Sequence, residues 1–259
     1  MSAPGSRDGL AEVAAALRHA GCVFAEDEAD LLWEAADGPR DLAARVARRV
    51  SGEPLELVLG WAEFCGARIA VAPGVFVPRR RTEALAAEAV ARTRPGSVVV
   101  DLCCGAGALG AAVAAAVPGI ELHAADVDPA AVTCARRNLP GAAVHRGDLF
   151  AALPAGLRGR VDVLVANAPY VPTAAIGLLP REARDHEPAV ALDGGDDGLS
   201  VVRRIVAGAP AWLAPGGAVL FETGAGQSAA AAAALRAAGF RPLVVPDEER
   251  GATVLVGDR

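Results

Sequence analysis

A chain of 259 residues can bury a complete α/β core and still carry a smaller appended unit. All 25 basic residues are arginine, set against 31 Asp and Glu, and the net charge of −6 argues against a non-specific grip on nucleic acid, which needs clustered positive charge. The five cysteines (Cys22, Cys65, Cys103, Cys104, Cys134) are odd in number and form no C-x-x-C pair, so neither a disulfide framework nor a structural metal is expected, and a reducing cytoplasm is the expected setting.

In chain order, Met1 to Asp8 lacks the apolar core of a signal peptide. Apolar residues at Leu10, Val13, Ala14 and Leu17 predict a helix over Gly9 to Ala20, and Leu31, Leu32 and Ala35 a second over Glu26 to Ala36. Pro39 to Val50 predicts a third, with Pro in its first turn. This block is acidic, with twelve Asp and Glu against seven Arg as far as Gly74. Glu63 to Val71 and Gly74 to Pro78, punctuated by Gly and Pro, predict a hairpin between two domains. From Thr82, expected to cap a helix running to Arg92, strands and helices alternate. Strands are expected at Ser97 to Leu102, Ile120 to Asp126, Val161 to Ala166, Ala218 to Glu222, Arg241 to Val245 and Ala252 to Val256. Helices are expected at Ala106 to Val117, from Pro129 to Asn138, at Leu199 to Leu213 and at Gln227 to Ala238. This alternation means a parallel-dominated sheet covered on both faces. Leu102 to Ile120 carries no charge and is long enough to span a bilayer, but it is built of Ala and Gly with Pro118, so a buried soluble segment is expected and no membrane contact.

Ligand-type residues fall at successive strand ends. Asp101-Leu102-Cys103-Cys104-Gly105-Ala106-Gly107 follows the first strand of the alternating part; Gly105 and Gly107 let backbone approach a ligand, and the next helix offers its N-terminal N–H groups. Asp126, nineteen residues past Gly107, ends the second strand, where a carboxylate can take both hydroxyls of a ribose. Asp148 and Leu149, after the third, suit an adenine amino group and ring, although a surface turn fits them equally. The three-glycine fingerprint is absent, which disfavours a nicotinamide cofactor. After Val161 to Ala166 comes Asn167-Ala168-Pro169-Tyr170, which holds the chain's only tyrosine and one of its two asparagines. The set indicates S-adenosylmethionine, and Asn167 belongs to both its site and the acceptor's. The Asn167 oxygen and the carbonyl of Ala168 can accept both N–H bonds of a planar amine or amide, with Tyr170 as a flat wall. No metal and no nucleophilic side chain is needed. His186 is read as a loop residue of unassigned role.

These motifs are similar to those of the HemK/PrmC family, the N(5)-glutamine methyltransferases of peptide chain release factors. The likeness rests on Val77-Pro78-Arg79-Arg80-Arg81-Thr82-Glu83, Asp101 to Gly107, Asp126 to Pro129, Asn167 to Tyr170, Glu187 to Leu199 and Glu222-Thr223-Gly224-Ala225-Gly226-Gln227. It implies a class I S-adenosylmethionine-dependent methyltransferase, α/β with a Rossmann-like seven-stranded sheet. It further implies a small N-terminal helical domain for substrate recognition over 1–62, a hairpin linker over 63–80 and a catalytic domain over 81–259. The implied partner is a protein substrate, a peptide chain release factor whose Gly-Gly-Gln glutamine is held by Asn167, Ala168, Pro169 and Tyr170. The implied cofactor residues are Asp101, Cys103, Cys104, Gly105, Ala106, Gly107, Asp126, Asp148, Leu149 and Asn167. Three features depart from the family pattern: Ala168 replaces a proline, Cys103 and Cys104 replace glycines, and the N-terminal part is short and acidic. They suggest a divergent paralogue. The alternatives are a methyltransferase of another planar amino acceptor, such as adenine N6 or a small molecule, and a non-catalytic binding module. Direct nucleic-acid binding is disfavoured by the charge and by the lack of a target-recognition domain.

Overall fold

The computed structural model describes residues 7–259, so the segment before Arg7, on which most of the signal-peptide reading rests, lies outside the described residues. The amphipathic stripes of the N-terminal part fold as α1 (Arg7–His19), α2 (Ala25–Glu34) and α3 (Pro39–Val50), followed by a short α4 (Leu55–Leu59). Leu17, Ala29, Leu32, Leu42 and Val58 give them a core of their own. The single turn of α4, between Pro54 and Gly60 (φ 84°), is too short to carry a periodic signal and was not expected.

A two-stranded hairpin follows, β1 (Trp61–Phe64) and β2 (Ala67–Ala70). The turn falls inside the first expected arm, where Cys65 and Gly66 both take positive φ (51° and 74°), as a tight hairpin turn requires. The stretch Gly74 to Pro78 forms no strand; its alternation reflects Val75 and Val77 burying into the main core. Asn138 fastens the hairpin to the rest of the chain. Its Oδ1 accepts the Ala70 N–H at 3.0 Å, and its Nδ2 donates to the carbonyls of Ala70 and Ala106, both at 2.8 Å.

A 3₁₀ turn (Arg80–Thr82) leads into α5 (Glu83–Arg92). Thr82 is not a side-chain cap: its backbone is already helical (φ −69°, ψ −11°), whereas a capping residue is extended so that its oxygen can reach the first free N–H groups. Then come β3 (Val98–Leu102), α6 (Ala108–Ala116), β4 (Glu121–Asp126), α7 (Pro129–Asn138), β5 (Ala143–Arg146) and β6 (Val161–Ala166). Asp128 does cap α7, accepting the Ala130 N–H at 2.7 Å, with Pro129 in the first turn. The chain closes with α8 (Arg181–His186), α9 (Ala189–Leu192), α10 (Ser200–Gly208), β7 (Leu213–Glu222), α11 (Ser228–Ala237), β8 (Arg241–Asp247) and β9 (Ala252–Asp258). His186 therefore ends a helix rather than lying in a loop.

The seven-stranded sheet has the order β5-β4-β3-β6-β7-β9-β8. Five strands are parallel, and β9 runs antiparallel between β7 and β8. One apolar layer joins the hairpin with α5, α6 and α7, and the other holds Val202 and Ile205 of α10 and Leu235 of α11. From β3 the chain builds outward through β4 and β5, then returns to β3's other side at β6. The carboxyl ends of β3 and β6 thus flank the topological switch point, where open α/β sheets bind ligands. The uncharged stretch Leu102 to Ile120 is spent on the end of β3, a turn and the nine-residue α6. Among the described residues no helix is long and apolar enough to cross a membrane.

Candidate active site

At the end of β3 the chain reverses through Cys103 (φ 55°) and Gly105 (φ 54°). A Cβ on Gly105 would meet nothing within 4 Å, so this turn leaves open space beside the strand end. Cys103 holds a left-handed conformation that costs a residue with a side chain about 1 kcal/mol. Asp126, at the end of β4, organises the turn. Its Oδ2 accepts the Gly105 N–H and its Oδ1 the Asp128 N–H, each at 2.9 Å. Burial pushes its carboxyl above the usual range, with those two bonds acting in the opposite sense.

A cavity opens on this turn. Cys103, Cys104, Gly105, Ala106, Asp126, Asp148, Leu149 and Asn167 all line it, so eight of the ten residues expected at a cofactor are brought together. Asp148 is paired with Arg204 at 2.6 Å, and Leu149 is buried in a left-handed conformation (φ 49°). Asp101 and Gly107 do not line the cavity. Asp101 is fully buried beneath the turn, where its Oδ2 accepts the Gly110 N–H at 3.0 Å, and burial raises its carboxyl to about 7. Gly107 (φ 81°) begins α6, and a Cβ there would lie 2.9 Å from Leu139. Asp101 thus ties α6 to the sheet, and Gly107 lets the start of α6 pack closely on the end of α7. Thr82, read from sequence as a cap, instead lines the cavity with its Oγ1 buried and without a partner.

A second cavity adjoins the first and is lined by Asn167, Ala168, Pro169 and Tyr170. The two cavities share Asn167 and Pro169, together with Phe76 and Ala191. The Asn167 carboxamide takes part in no side-chain hydrogen bond among the described residues, and so is available to a ligand. Pro54 and Glu56, at the start of α4, reach the second cavity, as does Glu182 of α8. Arg49 of α3 links the helical part to α8, bonding Glu28 of α2 at 2.6 Å and Glu182 at 2.8 Å.

Tyr170 is mounted by residues far away in sequence. Its hydroxyl donates to Glu222 Oε1 at 2.7 Å, and Arg81 Nε approaches the same oxygen at 3.2 Å. Burial, then the Glu222 charge, push the phenol upward, so it remains a neutral donor. Gln227 Nε2 donates to the carbonyls of Tyr170 and Asp197, both at 2.9 Å, while its Oε1 accepts the Gly224 N–H at 2.9 Å. Gly198 (φ 76°) makes this possible, since a Cβ there would lie 2.2 Å from both Gln227 Nε2 and the Tyr170 carbonyl oxygen. The sequence flagged Glu187 to Leu199 and Glu222 to Gln227 as motifs, but only the fold shows that they meet behind Tyr170. His186 lines neither cavity. Among the described residues no group of three His, Cys, Asp or Glu is placed to hold a metal ion.

A family model described as the methyltransferase small domain matches residues 67–178. The chain is 39% identical over 228 residues to a release factor glutamine methyltransferase of Geobacter sulfurreducens, covering 85% of this chain and 79% of that protein. This chain belongs to the release factor glutamine methyltransferase family. A 4-amino-L-phenylalanine/4-methylamino-L-phenylalanine methyltransferase of Streptomyces pristinaespiralis is 40% identical over 203 residues, covering 75% of this chain and 69% of that protein. In three dimensions a methyltransferase from Pyrococcus furiosus shares the fold at a TM-score of 0.58 and 17% identity, over 83% of this chain and 98% of the other. Both sheet and relatives place the catalytic part among class I methyltransferases, α/β with a Rossmann-like sheet.

Proposed function

We propose that this chain is an S-adenosylmethionine-dependent N-methyltransferase whose acceptor is a glutamine side-chain amide of a protein, as in the Gly-Gly-Gln motif of a peptide chain release factor. The observation that carries this reading is the meeting of two cavities at Asn167 and Pro169. The residues of the first cavity fit the cofactor: open space at Gly105, the Asp126 carboxylate for ribose hydroxyls, Leu149 for the adenine ring and the unpartnered Thr82 hydroxyl. When bound, S-adenosylmethionine supplies an electrophilic methyl group on a sulfonium.

The chain's own task is orientation. An amide nitrogen is a poor nucleophile because its lone pair is delocalised, so holding it in line at about 3–3.5 Å provides most of what a protein can contribute. The Asn167 Oδ1 and the Ala168 carbonyl accept the amide's two N–H bonds. These acceptors also favour the positive charge that grows on nitrogen as it reacts. Tyr170, fixed by Glu222 and Gln227, closes the acceptor's other side. Residues 81–259 supply the catalytic part, and the stretch before it, from the hairpin that begins at Trp61, is the linker. The helices α1 to α4 help admit the protein substrate, a role supported by Pro54 and Glu56 at the acceptor cavity. A cytoplasmic location suits five free thiols.

The Streptomyces pristinaespiralis relative and Ala168 together favour one second reading, an arylamine acceptor presenting the same two N–H bonds. Both readings are tested by incubating purified protein with methyl-labelled S-adenosylmethionine and a Gly-Gly-Gln peptide, 4-amino-L-phenylalanine or adenine-containing DNA. Label on the glutamine nitrogen supports the proposal; label confined to another acceptor replaces it.

A further inference from the structure

Arg204, on α10, is the only cation among the described residues that line the cofactor cavity; the other charged residues there are Asp126, Asp128 and Asp148. Two of these carboxylates are engaged by the backbone around them. Asp126 accepts the Gly105 and Asp128 N–H groups, and Asp128 accepts that of Ala130. Asp148 differs. Its Oδ2 takes one hydrogen bond, from Arg204 Nη2 at 2.6 Å, and its Oδ1 takes none among the described residues.

The two partners sit on backbones that pack against each other. Asp148 lies between Gly147 and the left-handed Leu149, in a turn so close that a Cβ on Gly147 would lie 3.0 Å from that of Ala152. The next residue is Phe150, and α10 approaches it so nearly that a Cβ on Gly208 would lie 2.4 Å from the Phe150 ring. On α10, Val201 and Arg204 are three residues apart, hence on one face, and both line the cavity. Both side chains of the pair are more than half exposed, and an ion pair so open to water adds little to stability. What it supplies is orientation. A lone carboxylate on a short side chain turns freely and must be frozen when a ligand binds, whereas a planar guanidinium holding one oxygen has fixed it beforehand.

We propose that Arg204 is the positioning residue for recognition of the cofactor's base. By holding Asp148 Oδ2 it leaves Oδ1 presented to one N–H of the exocyclic amino group of adenine, and so sets the preference for a cofactor carrying that base. Arg204 acts through Asp148, without touching the base, and takes no part in methyl transfer. This rests on the cofactor reading of the first cavity given above.

The test is calorimetry with S-adenosylhomocysteine and with its analogue carrying hypoxanthine, which sets an oxygen where adenine has its amino group. Both ligands carry a neutral sulfur, so the change in overall charge on removing an arginine cancels in the ratio of their affinities. Wild type should prefer adenine at least about tenfold, the loss of one hydrogen bond to a charged group. In Arg204→Ala the preference should shrink about fivefold, with adenine weakened and hypoxanthine little changed. In Asp148→Ala the preference is lost, and adding Arg204→Ala changes the ratio no further. Full preference in Arg204→Ala overturns the proposal, since the pair is then a surface contact only. Equal weakening of both ligands overturns it too, because Arg204 then acts on the cavity as a whole, as does a further change of ratio in the Asp148→Ala background, where Arg204 would be acting on the base itself. A wild-type protein indifferent to the base overturns it without any variant. Wild type that binds neither ligand refutes the cofactor reading instead, and is seen before any variant is compared.

Discussion

Asp101 carries a stability prediction with a definite pH window. It is completely buried, one oxygen accepts the Gly110 N–H at 3.0 Å, and the other has no partner. Burial raises its carboxyl from 3.8 to about 7. A carboxyl whose folded pKa lies above the unfolded one contributes stability that is fully present below about pH 4 and lost as pH rises through about 7. A shift of about three units corresponds to about 4 kcal/mol between those limits, at 1.36 kcal/mol per unit. Asp101→Asn keeps an oxygen for Gly110 and removes the charge. The wild type should therefore lose about 2–3 kcal/mol relative to the variant between pH 5 and 8, or roughly 5–10 °C in Tm for a domain of this size. Thermal unfolding of both proteins in parallel across that range measures the difference, in which every other titration cancels. Parallel profiles would refute the reasoning and show that Asp101 titrates as an ordinary carboxyl.

Three further outcomes follow from the site. Asp126→Ala should weaken S-adenosylmethionine by at least about 1.5–3 kcal/mol, the contribution of one hydrogen bond to a charged group, and calorimetry giving wild-type affinity would take Asp126 out of the cofactor site. Gly198→Ala forces a Cβ to within 2.2 Å of Gln227 and of the Tyr170 carbonyl, so kcat should fall at least about tenfold while cofactor affinity is retained; unchanged kcat would show that the mount of Tyr170 does not matter. Ala168 is 1% exposed, and Ala168→Pro should leave the rate level or raise it by less than about 1 kcal/mol in barrier, since a fixed φ only orders the carbonyl further. A steep loss of rate on the native acceptor would reject the glutamine reading and favour an acceptor that needs the space.

Much of this was legible because the signals are local. A glycine turn, an acid at the next strand end and Asn-x-Pro-Tyr are short segments, each fixed by its own strand, and the sheet's switch point gathers them around the two cavities. For Asp101 and Gly107 the sequence marks the motif but not the packing, since a motif acid and a motif glycine look alike whatever they face; only the fold shows their contacts with Gly110 and Leu139. The helices α8 and α9, six and four residues long, fall below the length at which periodicity can be read, and with them Glu182 remained unplaced. The hairpin was displaced because Val75 and Val77 alternate like a strand while burying as a loop. The roles of Gln227, Gly198, Arg81 and Glu222 depend on contacts across tens to more than a hundred residues, which no local pattern contains.

Asn167 is the polar side chain shared by both cavities. Asn167→Ala should fold and bind S-adenosylmethionine within a few-fold of wild type by calorimetry, yet transfer no measurable methyl to a Gly-Gly-Gln peptide in a single turnover, since the acceptor that orients the nitrogen is gone. Single-turnover transfer at a rate near that of wild type would contradict it and return Asn167 to Tyr170 to the status of an ordinary turn.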